Sequence, residues 1–172
     1  MEIENKEYIK LEECVLDVYK AASKKAINGV KSGKGGPFGA GIIQKTSDGK
    51  YKVIVIESNS VIKSKDPTAH AEVNAIRKAC EKLNTNFLEE CILVTTAKSC
   101  PMCLSAACWA KIPEVYYSEA YDDATTSGFK DDDIFEYING RNPSLIKEIR
   151  VTDDSCKIPF EVWNKKEDRI QY

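Results

Sequence analysis

The sequence predicts an α/β fold in which helices cover both faces of one mixed sheet. The hydrophobic spacing alternates along the chain between the three-to-four period of helices and short β-branched runs typical of strands. One helix also separates successive later strands, as in layered α/β folds. A chain of 172 residues can build one hydrophobic core but is too short for two. We therefore expect a single domain spanning residues 1–172.

The N-terminal half is predicted to start with a helix and to continue as a hairpin. Apolar residues fall three or four positions apart from Leu11 to Gly29, which indicates one buried stripe along a helix. Two β-rich runs follow, at 37–44 and 51–58, with a short Asp-Gly turn between them. These runs predict two adjacent antiparallel strands.

The C-terminal half is predicted to alternate helices and strands and then to become irregular. Its predicted elements are a helix from Thr68, a strand at 90–96, a helix from Pro101, a strand at 114–118, a short helix at 132–139, a strand at 146–152 and a last helix from about 159. Together with the hairpin these elements make a mixed five-stranded sheet. The expected architecture is therefore three layers, α/β/α.

Charge and cysteine usage narrow the function classes. The formal net charge is -2, so the chain has no basic footprint for nucleic acid or anionic membrane, and we expect neither partner. No stretch is long and apolar enough to span a bilayer. The seven cysteines are odd in number and irregularly spaced, which disfavours a disulfide scaffold. The reducing cytoplasm is the expected compartment.

Two short motifs, HAE (70–72) and CPMC (100–103), point to metal chemistry. His70 is the sole histidine, and it begins one predicted helix, while Cys100 and Cys103 begin another. Two neighbouring parallel βα units would bring both helix N-termini to the same sheet edge. One nitrogen and two sulfur ligands suit tetrahedral zinc, and three protein ligands leave the fourth position for water. The pattern therefore predicts a catalytic rather than a structural zinc site.

Glu72 is predicted to carry protons rather than to bind the metal. Two residues along a helix rotate the side chain by about 200°, so Glu72 does not ligate the same ion as His70. A carboxylate beside a metal-activated water can instead move a proton to a leaving amine. The pairing of H-x-E with a Cys-x-x-Cys motif is typical of zinc-dependent nucleobase deaminases. A redox CxxC pair is an alternative, but it explains neither His70 nor Glu72.

Longer stretches make the sequence resemble the cytidine-deaminase superfamily, and within it the bacterial guanine-deaminase branch. The stretches that carry the resemblance are GGPFGA (35–40), NSV (59–61), DPTAHAEVNAIRKAC (66–80), PMCL (101–104), GF-x-D (128–131) and PFEVW (159–163). The resemblance covers nearly the whole chain. It implies a cytidine-deaminase-like fold with one zinc ion per chain, held by His70, Cys100 and Cys103, and it implies Glu72 as the general acid and base.

The resemblance also implies how a purine would be held. The implied substrate contacts are the Asn59 amide, the Phe38 ring, the Ala71 backbone N–H, the Asp131 carboxylate, a pocket-closing Tyr172 and Trp109. In that family the C-terminal aromatic often comes from the partner of a swapped dimer. The resemblance thus implies a homodimer in which a C-terminal segment, about residues 153–172, is exchanged.

The implied reaction is water attack at C2 of guanine, which gives xanthine and ammonia. Guanosine is the alternative substrate, tRNA adenosine and cytosine are weaker ones, and a zinc-binding interaction module is the non-enzymatic alternative. The sequence departs from the family pattern just before the CPMC motif. Ala97, Lys98 and Ser99 stand where Cys, Glu and Pro are typical, so the loop lacks a rigid proline and carries a reversed charge.

Overall fold

The computed structural model of the protein describes residues 3–120, 125–129 and 131–168. The chain divides into two compact units, Met1–Asp131 and Asp132–Tyr172. The elements of the first unit are β1 (Glu7–Tyr8), α1 (Leu11–Lys31), β2 (Gly39–Lys45), β3 (Tyr51–Ser58), α2 (Val61–Ser64), α3 (Ala71–Leu83), β4 (Cys91–Ala97), α4 (Pro101–Trp109) and β5 (Glu114–Glu119). The predicted α-β-β-α-β-α-β order is confirmed, with β1 and the short α2 in addition.

The sheet is mixed and five-stranded, as predicted, but its fifth strand is not the one expected. The strand order is β1-β3-β2-β4-β5, and only the β4–β5 pair is parallel. The strand predicted at 146–152 is wrong, because these residues form no strand in the structure. The described residues of the second unit, 132–168, contain no strand with which they could pair. The fifth strand is β1, whose two residues are too few to show a periodicity.

Helices cover both faces of this sheet. One cluster of buried residues joins α1 to the sheet through Cys14, Val18 and Ala22. The other joins α3 and α4 to the opposite face, through residues such as Ala75 and Ala107. The predicted α/β/α layering is therefore confirmed.

Two glycines of β2 let α1 lie close against the sheet. A Cβ atom on Gly39 would lie 2.3 Å from the Ala22 carbonyl oxygen, and one on Gly41 would lie 2.7 Å from Val18 Cγ1. Backbone cannot yield as a flexible side chain can, so the Gly39 position excludes any larger residue. The close approach sets the distance between α1 and β2, which begins within the GGPFGA stretch (35–40).

The Gly39→Ala substitution should therefore destabilise the fold. Overpacking a close contact costs about 1–3 kcal/mol in the free energy of unfolding. The matched control is Gly29→Ala in α1, whose added Cβ would lie at an ordinary 3.5 Å from Ser58 Oγ. Alanine is favoured over glycine in a helix by about 1 kcal/mol, so the control should be neutral or stabilising. Urea denaturation measures both, and equal midpoints for the two variants would contradict the close-packing argument.

The directions of β3 and β4 bring two helix N-termini to one edge of the sheet. Both strands run antiparallel to β2, which lies between them, so they are parallel to each other without being neighbours. The expectation of adjacent βα units was wrong in this respect, because the hairpin partner β2 pairs with both strands. The helices α3 and α4, which follow β3 and β4, nevertheless start at the same sheet edge.

The described residues of the second unit, 132–168, form short helices and loops whose apolar side chains lie largely in solvent. Its elements are α5 (Asp132–Ile138), a single 3₁₀ turn (Asp154–Lys157) and α6 (Ile158–Lys165). The helices predicted at 132–139 and from about 159 are thus confirmed. The exposed large apolar residues of this unit include Ile138, Ile146, Ile149, Val151, Ile158, Phe160 and Val162. No helix in the described part of the chain has the length and apolar composition that a membrane crossing requires.

Candidate active site

The structure brings His70, Cys100 and Cys103 together at the sheet edge where α3 and α4 begin. His70 is the residue just before α3, and Cys100 the residue just before α4. Their ligating atoms lie within 4.8 Å of one another. His70 Nδ1 is 3.7 Å from Cys100 Sγ and 3.5 Å from Cys103 Sγ. Tetrahedral zinc bonds imply an N···S separation of about 3.6 Å, so the three residues fit a zinc ion bound through Nδ1.

The local sequence explains why these residues start helices. Asp66 Oδ1 accepts a hydrogen bond from the Thr68 N–H at 2.8 Å, and the His70 N–H donates to the Thr68 carbonyl oxygen at 2.7 Å. This tight turn delivers His70 in an extended conformation, from which α3 departs. Pro101 occupies the first position of α4, where its fixed φ suits a helix start.

The cluster stabilises negative charge where a cation would bind. The hydrogen bond from Cys103 lowers the pKa of the Cys100 thiol to about 4, and His70 contributes in the same direction against the effect of burial. That hydrogen bond, together with burial, raises the pKa of Cys103. The interaction with Cys100 raises the pKa of His70. Because the thiolate is the metal-binding form of cysteine, one sulfur is ready to ligate and the second can exchange its proton for a metal ion.

Glu72 lies beside this cluster without being part of the metal-ligating group found among the described residues. Its side chain belongs to the first turn of α3 and is only 7% exposed. Burial raises the pKa of the Glu72 carboxyl, while a hydrogen bond with Ser99 acts in the opposite direction. The Glu72 carboxylate helps to raise the pKa of Cys103, and the charge of Cys100 in turn raises the pKa of Glu72, so the carboxylate lies next to the sulfurs. A raised pKa favours uptake of a proton by the carboxyl group, which a general acid and base must both take up and release.

Asn59 is fixed by hydrogen bonds with the GGPFGA stretch (35–40) and with the start of α2. Its side chain is buried, and its Oδ1 accepts hydrogen bonds from the N–H groups of Gly36 and Val61, both at 3.1 Å. A Cβ atom on Gly35 would lie 2.2 Å from this oxygen, so glycine is required there. None of the described residues is recorded as accepting a hydrogen bond from Asn59 Nδ2. The Oδ1 atom of Asn59 thus holds the loop in place, and its Nδ2 group can donate a hydrogen bond to a ligand.

Three other predicted substrate contacts, Phe38, Ala71 and Asp131, each lie next to Asn59 or His70. The Asn59 N–H donates to the Phe38 carbonyl oxygen at 2.9 Å, and the Phe38 ring packs edge-on against Phe129 with ring centroids 4.8 Å apart. Ala71 is the first residue of α3, a position whose N–H has no acceptor within the helix. The Asp131 carboxylate lies near enough to His70 to help raise its pKa.

The structure does not bring the predicted contact Trp109 to the cluster. Trp109 ends α4, which places it about 9 Å along the helix axis from Cys103. Its side chain is 68% exposed. Tyr172 lies outside the described residues. Both stay predictions.

The unusual loop before Cys100 is held by the sheet rather than by a proline. Ala97 pairs with Glu119 at the end of the β4–β5 ladder. The Lys98 N–H then donates to the Glu119 carbonyl oxygen at 2.8 Å, which extends the ladder by one residue. Ser99 is 2% exposed, so its hydroxyl is placed inside the site and not in solvent. The loop before Cys100 is therefore anchored by the sheet although it lacks the proline.

Sequence reasoning did not single out Asn74, and it noted Ser99 only as a departure from the family pattern. Asn74 stands four residues after His70, so the helical repeat already places both on one face. Ser99 precedes a metal-ligating cysteine, but its importance depends on the tertiary position of Glu72, which no sequence pattern reveals.

Comparison with known proteins agrees with this geometry. The sequence model described as the cytidine and deoxycytidylate deaminase zinc-binding region matches residues 12–119. A guanine deaminase of Bacillus subtilis (strain 168) is 43% identical over 153 residues, which cover 86% of this chain and 95% of that protein. A tRNA-specific adenosine deaminase of Aquifex aeolicus (strain VF5) is also 43% identical, but over only 82 residues, 48% of this chain and 51% of that protein.

A solved structure extends the likeness to the fold. The X-ray structure of guanine deaminase from Bacillus subtilis superposes with a TM-score of 0.81 and 39% sequence identity, covering 91% of this chain and 97% of that one. The family match also contains both halves of the metal cluster, since residues 12–119 include α3 and α4 with the loops that precede them. This chain belongs to the family of zinc-dependent cytidine and deoxycytidylate deaminases.

Proposed function

We propose that this protein hydrolyses guanine to xanthine and ammonia. The observation that carries the proposal is the buried Glu72 beside the His70, Cys100 and Cys103 cluster, in a chain that is similar over nearly its whole length to a guanine deaminase. The reaction adds water at C2 of the purine and releases the amino group. It therefore needs a nucleophilic water, a proton carrier and groups that hold the base.

The chain's residues supply these functions as follows. His70, Cys100 and Cys103 hold one zinc ion, which when bound supplies an acidified water as the nucleophile. Glu72 accepts a proton as water attacks and gives one to the departing amine, so ammonia leaves as a neutral molecule. The burial of Glu72 keeps competing solvent protons away from this transfer.

The purine is held by groups on three loops and by the first residue of α3. Asn59 Nδ2 donates to the base, and Phe38 packs against its ring. The free N–H of Ala71 donates at the helix N-terminus, while the Asp131 carboxylate accepts N–H groups from the purine edge. We assign Trp109 and the C-terminal Tyr172 to the outer wall of the same pocket.

Ammonia release from guanine, guanosine, cytosine and adenine tests this proposal and its alternatives. We expect guanine to give the highest kcat/KM, with xanthine as the product by absorbance. A preference for guanosine would favour the nucleoside alternative, and deamination of a tRNA anticodon stem would favour the adenosine one. The shorter match to a tRNA deaminase and the net charge of -2 argue against tRNA. A zinc-loaded protein inactive on every substrate would favour an interaction module.

We further propose that the protein is one deaminase domain that works as a cytoplasmic homodimer, with residues of about 153–172 exchanged between the subunits. The many exposed large apolar side chains of the second unit support this, because exposed apolar surface of this kind is typical of interaction sites. Phe160 and Val162 are 71% and 62% exposed, although α6 is a helix that would normally bury them. All seven cysteines are free, as suits the reducing cytoplasm.

Subunit mixing tests the exchanged segment. A chain that lacks residues 153–172 keeps Glu72 but has no tail to close its pocket, and the full-length Glu72→Gln variant has the reverse defect. We expect each alone to be nearly inactive. After complete subunit exchange, half of the dimers contain one repaired site, so the mixture should recover about a quarter of the parental activity.

The control mixes the truncated chain with a truncated Glu72→Gln chain, which should stay inactive. Zinc content and circular dichroism establish that the truncated chain is folded. If the exchange of subunits is complete and activity does not return, the tail closes the pocket of its own chain or of none.

A further inference from the structure

The Asn74 side chain is the hub of a hydrogen-bond network beneath the site. Its Nδ2 lies 3.1 Å from the Ser58 carbonyl oxygen, 3.0 Å from Ser60 Oγ and 3.2 Å from the Ala69 carbonyl oxygen. Its backbone N–H donates to the His70 carbonyl oxygen at 2.9 Å. A single amide group therefore touches two separate segments of the chain.

These contacts join the substrate side of the site to its metal side. Ser58 and Ser60 flank Asn59, and Ala69 directly precedes His70. The Ser60 N–H also donates to the Ala69 carbonyl oxygen at 3.0 Å, which makes a second bond between the same segments. Two hydrogen-bond donors therefore fix the position of Asn59 relative to His70. They are the Ser60 backbone N–H and the Asn74 side-chain amide.

The chemistry of the contacts requires an amide donor. Two hydrogens on Nδ2 are shared among three acceptors, so the group is used fully as a donor. An aspartate has the same shape but would turn a carboxylate oxygen toward oxygen acceptors. Asparagine is also a poor helix former, and its place in the first turns of α3 has no support from helix propensity. Its contacts with the two loops account for it.

We propose that Asn74 is a positioning residue that holds the Asn59 loop in register with His70. The proposal rests on the proposed function, in which Asn59 binds the purine. Asn74 itself touches no substrate. Its loss should leave the metal cluster able to form, while the Nδ2 group of Asn59 moves away from the base. A displacement of this kind by about 1 Å can lower the rate by about 10²-fold.

The first test follows the loop without relying on activity. In Asn74→Asp we expect faster amide hydrogen exchange, measured by NMR on zinc-loaded protein, at Gly36 and Val61, whose N–H groups bond to Asn59 Oδ1. The Gly49 N–H, in the turn of the β2–β3 hairpin, should keep its protection. The matched control is Asn28→Asp, which adds the same charge at an exposed position of α1. This control should leave the hydrogen-exchange rates at Gly36, Val61 and Gly49 unchanged.

The second test measures kinetics on guanine. Asn74→Asp should lower kcat/KM about 10–100-fold, mainly through KM, with about one zinc per chain retained. In the Asn59→Ala background the same substitution should have little further effect, because residues that act through one another are non-additive. Asn74→Ser keeps one hydrogen-bond donor and adds no charge, so its kcat/KM should lie between those of the parent and Asn74→Asp. It replaces Asn74→Asp in both tests if the aspartate variant does not fold.

The results separate this proposal from the proposed function. A parental protein inactive on guanine would refute the function, and the exchange rates at Gly36 and Val61 would still decide the role of Asn74. Loss of zinc, uniformly faster exchange over the whole chain, or fully additive effects with Asn59→Ala would overturn the positioning role. Unchanged exchange and kinetics in both Asn74 variants would overturn it as well.

Discussion

The Glu72→Gln variant is expected to lose most of its turnover while keeping its fold and its zinc. Glutamine has the size and shape of glutamate, so the 7% exposed site can accept it without a cavity. An amide cannot take up and release protons near neutral pH. General acid–base groups contribute about 10²–10⁴-fold to rate, and we expect kcat on guanine to fall by that factor. Stopped-time ammonia release and elemental analysis of the same sample measure both quantities.

The matched control is Glu81→Gln, which makes the same change at an exposed position of the same helix. Its kcat should equal that of the parent. A fall of less than tenfold in Glu72→Gln, with zinc retained, would mean that another group carries the proton. The buried carboxyl of Glu72 would then serve only to orient its neighbours.

The sequence was sufficient to predict the elements that have a long periodicity or a strong boundary signal. The apolar stripe of α1 spans five turns, and Pro101 marks the start of α4, so both helices were located closely. The metal cluster was predictable for a similar reason. Histidine and paired cysteines at two helix starts restrict the chemistry far more than any single residue does.

Features that depend on tertiary pairing were not predictable. The two residues of β1 become a strand only because β3 offers an edge beside them. The 146–152 segment has the composition of a strand, yet Ile149 and Val151 are 69% and 86% exposed, because the described part of its unit provides no sheet. A strand forms only where two segments pair, so the sequence of one segment does not show whether a pairing partner is present.

The same reasoning applies to the candidate site. Asn59 was assigned through a resemblance, but its two backbone donors come from the turn at Gly36 and from Val61, which only the folded chain reveals. Asn74 contacts residues up to sixteen positions away, and no helical or strand period connects them. The residues that carry out the chemistry can thus be inferred from the sequence. The residues that hold them in position can be identified only from the folded structure.

Replacing Cys103 by serine is expected to abolish zinc binding and, with it, activity. Cys103 is completely buried, and its sulfur lies 3.5 Å from His70 Nδ1. A serine hydroxyl is not deprotonated near neutrality, so the variant offers only His70 and Cys100 as strong ligands. A catalytic zinc site needs three protein ligands and one water, and the variant supplies only two protein ligands. We expect zinc content to fall from about one per chain to a small fraction of that, with no measurable ammonia release.

Thermal unfolding with and without a chelator separates loss of metal from loss of fold. A ligand bound only by the native state stabilises that state, by about 4 kcal/mol at a free concentration one thousand times its Kd. A chelator should therefore lower the Tm of the parent and leave the Tm of Cys103→Ser unchanged. Cys108→Ser alters an exposed cysteine of the same helix and should behave as the parent does. Full zinc content in Cys103→Ser would mean that the ion is bound elsewhere, and the catalytic roles assigned around the cluster would then fail together.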